Sequence, residues 1–416
     1  MMNRLYITVI LAIACMYIAN AQTTNNLTGS PYSLYGLGVF NEANLGKTNA
    51  LGKSGVAFGS TYELNNLNPA SLGSIFKKSF MFDIGINGEM DTYQNNKSDD
   101  SKVRTNFANL AVAFPVTPKS AVSIVLTPYS NVGYELIGLQ TNVEGSTETY
   151  TTYVNGSGGL NSFKASYGIA LNKAIRLGGS LEYIFGAIDE NEVITYNNSY
   201  LYIDRNTYYK NLRAAVGAQI DVNEKFGFGA TVKFPTSLHA SQNIEVSKII
   251  DLASITVSDD EELEIDNFDL PFEFAVGFRK TFADKFTINA DYKRSLWGTT
   301  DQTDNLGTFK DKDFIGVGFE YLKSDRSFKY WDRVRYRGGF CYDNGYLTIN
   351  DETIDNKALT LGLGLPLSLR NNSFINISYS YGKRGVVSSS LVKENYHMVS
   401  INLSLENMWF VKNKIN

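Results

Sequence analysis

The feature that most constrains this chain is a series of segments, about ten residues long, in which apolar and polar residues alternate. In the first of them, Phe80, Phe82, Ile84 and Ile86 share one face. Alternation with period two predicts a β-strand, because successive side chains of a strand point to opposite sides. About fourteen such segments follow residue 79, and the clearest alternate strictly: 80–90, 104–114, 120–130, 160–171, 175–186, 208–220, 225–235, 272–282, 285–294, 313–322, 332–343, 358–368, 373–382 and 396–406.

The connections between these segments alternate in length. Every second one is short, such as 172–174 and 283–284, whereas those between them are long and rich in Asn, Asp, Ser, Thr and Gly. Outer-membrane barrels are built in this way, with short turns on the periplasmic side and long loops outside. The pattern therefore predicts an all-β fold: a transmembrane antiparallel β-barrel of about 14 strands in the outer membrane of a Gram-negative cell. A large water-soluble sandwich is the alternative.

The positions of the charged residues indicate which face of the barrel meets lipid. Arg333, Arg335 and Arg337 occupy alternate positions of one segment, opposite apolar and aromatic residues. An Arg on the lipid face near the bilayer midplane costs roughly 2–4 kcal/mol, so we expect the three arginines to line the lumen. Candidate carboxylate partners are Glu320 on the adjacent strand and Glu42 and Glu63 in the N-terminal part. A solvated row that tunes ion passage is the alternative.

The N-terminal part of the chain divides into two regions. Residues 1–21 combine Arg4, an apolar stretch over 5–18 and the small residues Ala19 and Ala21, which predicts a cleaved secretory signal peptide. Lipidation of Cys15 is a weaker alternative. Residues 22–78 are rich in Gly, Asn and Ser but also contain aromatic residues, which a free linker would leave exposed to water. We expect them to form a plug inside the barrel of residues 79–416, because about fourteen strands enclose more space than side chains fill. A free linker is the alternative.

The composition excludes several classes of function. There are 38 basic and 42 acidic residues, a net charge of −4, which argues against a nucleic-acid partner. Two His and two Cys are too few for most metal sites, and after cleavage only Cys341 remains, so no internal disulfide can form. His239 stands alone in a polar stretch, and the acidic run at 259–266 lacks the spacing of a calcium loop. We therefore predict no catalytic, cofactor-binding or metal residues, and no enzyme.

Four short motifs resemble the FadL-type outer-membrane transport proteins. Asn66–Leu72 is similar to the Asn-Pro-Ala signature of that family's plug, with Asn68, Pro69 and Ala70 at the matching positions. The other three are Gly156–Gly186, the stretch from Leu270-Pro271 to Trp297, and Arg337-Gly338-Gly339-Phe340 with its following strand. The resemblance covers essentially the whole mature chain. It implies a fourteen-stranded barrel with an N-terminal plug that mediates passive uptake of small apolar molecules of the fatty-acid or hydrocarbon class.

Two further stretches resemble the Bacteroidota branch of that family. They are Ser30-Pro31-Tyr32-Ser33 and Pro128-Tyr129-Ser130. Several barrels of this branch resemble subunits of outer-membrane machines for secretion, gliding or barrel assembly. The resemblance therefore implies an alternative function as a non-transporting accessory barrel. The chain departs from the family at its end, where Trp409 and Phe410 precede a basic tail.

The resemblance also directs attention to the longest outer connection, 236–271. In FadL-type barrels long outer loops gather apolar side chains that receive a ligand, and the corresponding candidates here are Ile249, Ile250, Leu252 and Ile255. Packing between loops is the alternative role for these residues. The expected partners are outer-membrane lipid, an apolar small molecule and protein partners in an outer-membrane complex.

Overall fold

The computed structural model describes residues 27–408 apart from 43, 60, 76–77, 95–98, 251–252, 301, 305–306, 370–371 and 388–390. The expected signal peptide, the tail from Trp409 and the candidate ligand residue Leu252 lie outside the described residues. Within the described residues, no helix has the length and apolar character needed to cross a membrane. The helices there are single 3₁₀ segments at Pro31–Leu34, Gly46–Ala50, Pro69–Ser74, Trp297–Thr299 and Tyr330–Asp332.

The rest of the described chain is dominated by strands, as the alternation predicts. In chain order they are β1 (Val39–Phe40), β2 (Ser79–Gln94), β3 (Asp99–Thr117), β4 (Ser120–Asn142), β5 (Thr149–Ala170), β6 (Ile175–Tyr196), β7 (Ser199–Asn223), β8 (Phe226–Lys233), β9 (Thr236–Ile250), β10 (Ala253–Glu264), β11 (Phe268–Leu270), β12 (Glu273–Phe282), β13 (Phe286–Ser295), β14 (Thr303–Asp304), β15 (Gly307–Phe309), β16 (Lys312–Leu322), β17 (Arg335–Asp343), β18 (Leu347–Ile349), β19 (Glu352–Thr353), β20 (Asn356–Pro366), β21 (Phe374–Arg384) and β22 (Lys393–Met408).

Fourteen of these strands form a closed antiparallel wall. The order around it is β2, β3, β4, β5, β6, β7, β8, β12, β13, β16, β17, β20, β21 and β22, and β22 pairs with β2 to close the ring. Each strand therefore has a partner on both edges, which a spanning sheet needs because hydrocarbon offers no hydrogen bonds. The predicted fold class, a closed barrel of 14 antiparallel strands, is confirmed.

The two faces of the wall differ in chemistry. Side chains that point outward are large and apolar and lie exposed on the barrel, such as Ile84, Phe163, Val317 and Leu361. Side chains that point inward are small, polar or charged, and many are buried although they carry charge, such as Arg213. A barrel with an apolar outer surface and a polar interior is built to have lipid around it.

The outer connections differ from the long irregular loops that the sequence suggests. β6 and β7 continue past the barrel and join through a two-residue turn at 197–198, and β9 and β10 pair with each other as a hairpin. Above the membrane both faces of a strand are wet, so the apolar and polar alternation that identifies a strand fades there. The short connections on the opposite rim remain turns, of which 323–334 is the longest in the described part of the chain.

Residues 27–75, which we call the lumen segment, contact the inward-facing side of the wall. Leu45, Leu64 and Leu72 pack in one apolar cluster with Met81 of β2 and Val125 of β4. On the opposite side of the ring, the backbone of the lumen segment touches β13, β16, β17 and β20. The lumen segment thus contacts the inward-facing side of strands in different parts of the ring.

Candidate functional site

The lumen segment and the wall meet in a buried cluster of charged side chains centred on Glu63. The Glu63 carboxylate lies 3.0 Å from Lys47 Nζ, 2.8 Å from Arg335 Nη1 and 3.3 Å from Arg337 Nη2. Arg337 also donates from Nε to Glu320 at 2.7 Å and from Nη1 to Asn376 at 2.5 Å. Because charges so deeply buried need partners, this cluster fixes the lumen segment to β16, β17 and β21.

The electrostatics of the cluster depend on Glu63 being ionised. Burial by itself raises the pKa of the Glu63 carboxyl, but Lys47, Arg335 and Arg337 together hold that pKa below its usual range. Three cations around one carboxylate favour the charged form more strongly than desolvation opposes it. The ion pairs are therefore present at neutral pH.

The predicted arginine row is divided in the structure. Arg335 and Arg337 are inward-facing residues of β17, whereas Arg333 precedes the strand and ends the 3₁₀ turn Tyr330–Asp332. The Arg333 guanidinium stacks on Tyr330, with 5.5 Å to the ring centroid, and donates to Ser368 O at 3.3 Å. Among the proposed carboxylate partners, Glu320 and Glu63 face the pair on β17, and Glu42 lies elsewhere.

Glu42 belongs to a second charged contact between the lumen segment and the wall. It accepts from Lys293 Nζ at 2.8 Å, and Lys312 Nζ lies 3.6 Å away. Burial raises the pKa of the Glu42 carboxyl, but Lys293, Lys312 and Lys53 hold the pKa below its ordinary value. A cavity of about 80 Å³ lies beside this contact. Its charged lining residues are Glu42, Lys164, Lys233, Glu273, Lys293 and Lys312.

The predicted plug residues Asn68, Pro69 and Ala70 lie at a third contact, and all three are buried. Asn68 Oδ1 caps the helix Pro69–Ser74 by accepting from Ala70 N at 3.0 Å. Asn68 Nδ2 lies within hydrogen-bond distance of three carbonyl oxygens, those of Val56, Ala218 and Ala230, at 2.9, 3.0 and 3.3 Å. Asn68 thus joins two parts of the lumen segment to β7 and β8, because its amide both donates and accepts.

Glycines of the wall make this third contact possible. A Cβ added to Gly178 would lie 2.4 Å from Pro69 C, and one added to Gly217 would lie 2.1 Å from Asn68 Oδ1. Only a residue without a side chain lets two backbones approach so closely.

Two further polar contacts hold the middle of the lumen segment. Asp291 Oδ2 on β13 accepts from Gly55 N at 2.6 Å and Val56 N at 2.9 Å. Gln219 on β7 donates to the carbonyl oxygens of Val56 and Phe58 at 2.9 and 3.0 Å. The same stretch of the lumen segment is therefore tied to two wall strands, β7 and β13, which β8 and β12 separate.

The candidate ligand residues Ile249, Ile250 and Ile255 lie on the hairpin of β9 and β10. Ile249 lies on β9 and Ile255 on β10, where Ile255 is 56% exposed and pairs with Lys248. Ile250 pairs with Ser199 and Ala253 at the end of the hairpin. Ile249 and Ile255 are thus held next to each other on the two strands of one hairpin.

The remaining polar residues considered in the sequence are dispersed. His239 is exposed on β9, and His397 Nδ1 is 2.7 Å from Tyr379 Oη on the outer side of β21 and β22. The acidic run lies on the exposed strand β10. One cluster was missed: carboxylates of Glu89, Asp91 and Glu394 converge within 4.8 Å. No sequence spacing signals this group, because strand register alone brings it together.

Arginines already occupy that cluster. Arg104 Nη1 lies 2.7 Å from Asp91, and Arg384 Nη1 lies 3.4 Å from Glu394. Ser30 Oγ at the start of the lumen segment donates to Glu394 at 2.7 Å. The cluster is therefore a further anchor of the lumen segment, through Ser30.

The comparison with family models covers the whole length of the chain. The model of a family described as BamG matches residues 1–416. The chain belongs to the BamG family. No curated protein shows significant similarity to this BamG-family chain in sequence.

Solved structures similar to the BamG-family chain share its fold. The Pseudomonas putida toluene transporter TodX has a TM-score of 0.63 at 15% identity, with 89% of this chain and 100% of that chain covered. The Ralstonia pickettii toluene transporter TbuX has a TM-score of 0.61 at 15% identity, with 87% and 98% covered. A Pseudomonas aeruginosa FadL homologue has a TM-score of 0.55 at 11% identity, with 89% and 98% covered. The resemblance to FadL-type barrels thus holds for the fold.

Proposed function

We propose that this chain is an outer-membrane barrel that serves as a closed accessory subunit of an outer-membrane protein assembly. The observation that carries the proposal is the lining of the spaces between the lumen segment and the wall. Six of the fourteen residues that line the cavity of about 80 Å³ beside Glu42 carry a charge. An apolar molecule there would strip water from charges without replacing its hydrogen bonds, which costs several kcal/mol.

The spaces between the lumen segment and the wall are not too small for a hydrocarbon. A cavity of about 150 Å³ lies nearer the outer end, between the helix Pro31–Leu34 and the strands β4, β6 and β7. An apolar cavity of about 150 Å³ binds benzene in other proteins. Here, however, the lining includes the Arg205 and Glu190 ion pair, at 2.7 Å, and Gln242. Its chemistry favours water over a hydrocarbon.

The outer surface supports a role in the membrane. Each wall strand presents large apolar residues outward, and the wall is closed. The described residues hold the lumen segment at six separate polar contacts, so an open pore would require several buried polar groups to separate together. A subunit that contributes its surface to an assembly needs no such opening.

Passive uptake of small apolar molecules is the second candidate, and the shared fold with two toluene transporters favours it. Under this function the lumen segment would have to move aside or open a path through the wall. The protruding hairpin of β9 and β10, with Ile249, Ile250 and Ile255, would be the first part of the protein to meet the ligand.

Transport into liposomes tests both functions on the full-length chain. Vesicles with the refolded protein are mixed with toluene or a fluorescent fatty acid, and entry is compared with protein-free vesicles. The accessory function predicts equal entry, and native mass spectrometry of gently extracted membranes then shows the chain in a complex of fixed stoichiometry. Saturable uptake by an isolated barrel would contradict the accessory function and support the second candidate.

A further inference from the structure

The outward face of the barrel carries a groove over β13, β16, β17 and β20. Its volume is about 470 Å³, larger than the spaces in the lumen described above. The side chains around it are apolar except for Thr360, whose hydroxyl is directed inward to Ala50 O and Gly52 N. The groove is lined by Phe286, Ile288, Val317, Phe319, Phe340, Leu359 and Leu361, with the backbone of Gly318, Gly338 and Gly339 as its floor.

The groove exists because one outward position of β17 has no side chain. Inward and outward residues alternate along β17, so Gly338 stands between the outward-facing Tyr336 and Phe340. Across the sheet Gly338 pairs with Phe319 on one side and Leu361 on the other. The Phe319 ring leans over this gap, so that a Cβ on Gly338 would lie 2.7 Å from two of its carbon atoms.

The groove lies in the half of the wall near the short turns. Gly338 is three residues from the start of β17, roughly 10 Å along the strand. Half of a hydrocarbon core measures about 15 Å. A lipid acyl chain that starts at this rim and runs along the wall therefore reaches the groove without leaving its own leaflet.

The rim below the groove carries the turn 323–334, which we call the basic turn. It contains four cationic side chains, Lys323, Arg326, Lys329 and Arg333, against Asp325 and Asp332, a net charge of +2. Lys323 pairs with Asp332 at 3.0 Å, whereas no ion pair forms at Arg326 or Lys329 among the described residues. Arg326 and Lys329 are exposed in the connection between β16 and β17, two of the strands that form the groove.

Aromatic residues of the basic turn fit the same position. Phe328 is 95% exposed and Trp331 is 67% exposed, and Tyr330 lies beside Trp331. Such side chains are enriched at membrane interfaces, where the ring is in contact with both acyl chains and headgroups. A turn with cations and exposed aromatic rings thus suits an anionic headgroup at the rim next to an apolar groove.

We propose that this sector is a binding site for one anionic glycerophospholipid of the periplasmic leaflet. One acyl chain fills the groove at Gly338, and the phosphate-bearing headgroup binds Arg326 and Lys329 of the basic turn. Burial of the acyl CH₂ groups and attraction between the two cations and the anionic headgroup both favour binding. The proposal requires only that the barrel lies in a membrane, and holds under either candidate function.

Native mass spectrometry of the delipidated full-length barrel tests the site with phosphatidylglycerol and phosphatidylcholine of identical acyl chains. We expect one phosphatidylglycerol to bind about tenfold more tightly than phosphatidylcholine. Gly338→Leu fills the groove and should weaken both lipids about tenfold. Arg326→Gln with Lys329→Gln should remove the preference, so that phosphatidylglycerol then binds no more tightly than phosphatidylcholine.

Gly179→Leu is the matched control, because Gly179 also faces outward and a Cβ there meets nothing nearer than Ala215 O at 3.8 Å. It should bind both lipids like the wild type, and heat-modifiable mobility in gels verifies that every variant is folded. Equal binding of the two lipids by the wild type would overturn the proposal. So would wild-type binding by Gly338→Leu, or a dimer of the chain that Gly338→Leu disrupts.

Discussion

The lumen segment meets strand β17 in two different ways within three consecutive inward positions. Arg335 and Arg337 reach Glu63 through ion pairs of 2.8 and 3.3 Å. At the next inward position, Gly339 touches the backbone of Gly52 so closely that a Cβ would lie 2.2 Å from Gly52 N. The first contact depends on charge and protonation, and the second depends on shape alone.

The two contacts constrain the lumen segment in different ways. A close contact between backbones cannot be relieved by turning a side chain, so it sets the position of Gly52 and excludes any larger residue. Ion pairs can shift and exchange partners, but they no longer stabilise the folded protein when the carboxylate is protonated or removed. Substitutions at the two contacts should therefore produce different signatures.

The largest effect is expected for Glu63→Gln. The change leaves Lys47, Arg335 and Arg337 without their shared anion, and removing one partner of a buried ion pair costs roughly 3–5 kcal/mol. Urea unfolding of the barrel in detergent measures the change. Asp284→Asn, in an exposed pair with Lys225, is the control and should leave stability unchanged. A Glu63→Gln barrel as stable as the wild type would show that the charged contact does not hold the lumen segment.

Gly339→Ala should follow, with a loss of about 1–3 kcal/mol from overpacking. Two backbones must separate to admit the methyl group, so the lumen segment is displaced at Gly52. The same unfolding measurement applies, together with protease digestion of the folded protein. Gly179→Ala is the control, because its outward methyl group contacts only lipid. Equal stability of the two alanine variants would contradict the contact at Gly52.

Asn68→Ala should cost roughly 1–2 kcal/mol, since it removes a helix cap and leaves buried carbonyl oxygens without a donor. Asn68→Asp keeps the cap acceptor but not the donor. Comparing the unfolding midpoints of the two variants separates the roles. If Asn68→Asp were as stable as the wild type, the contact of Asn68 with β7 and β8 would contribute nothing to the stability of the barrel.

The smallest effect is that of acid. The pKa of Glu63 is lower in the folded protein than in the unfolded chain, so its stabilisation is complete above the unfolded value, near 4.3. It is lost as the pH falls below that value toward the folded pKa. The stability difference between wild type and Glu63→Gln should therefore be constant from pH 8 to 6 and shrink below about pH 4. A difference that grows in acid would reverse the assigned sign.

Strand positions could be predicted because lipid on one side and the lumen on the other impose period two. The same reasoning explains the limits, since β6 and β7 continue above the membrane, where both faces are wet and the contrast disappears. Alternation also grouped Arg333 with Arg335 and Arg337, although a 3₁₀ turn precedes the strand and redirects Arg333. The alternation of apolar and polar residues does not predict the residue at which a strand begins.

The contacts of the lumen segment were only partly accessible from sequence. The Asn-Pro-Ala signature indicates where the segment ends, and the charge row on β17 indicates that carboxylates must lie opposite. Which carboxylate lies there depends on the path of residues 27–75 through the lumen, and this path is set by wall glycines from distant strands. The expected signal peptide and the Bacteroidota branch stay predictions.

Hydrogen exchange of the full-length barrel in lipid nanodiscs tests the central claim most directly, that the lumen segment is fixed to the wall. The amides of Gly55 and Val56 donate to Asp291, and that of Gly52 donates to Thr360. We predict that peptides covering 50–58 exchange as slowly as those from β16 and β17. Exchange of 50–58 within seconds, while the wall strands stay protected, would contradict a segment held at these contacts.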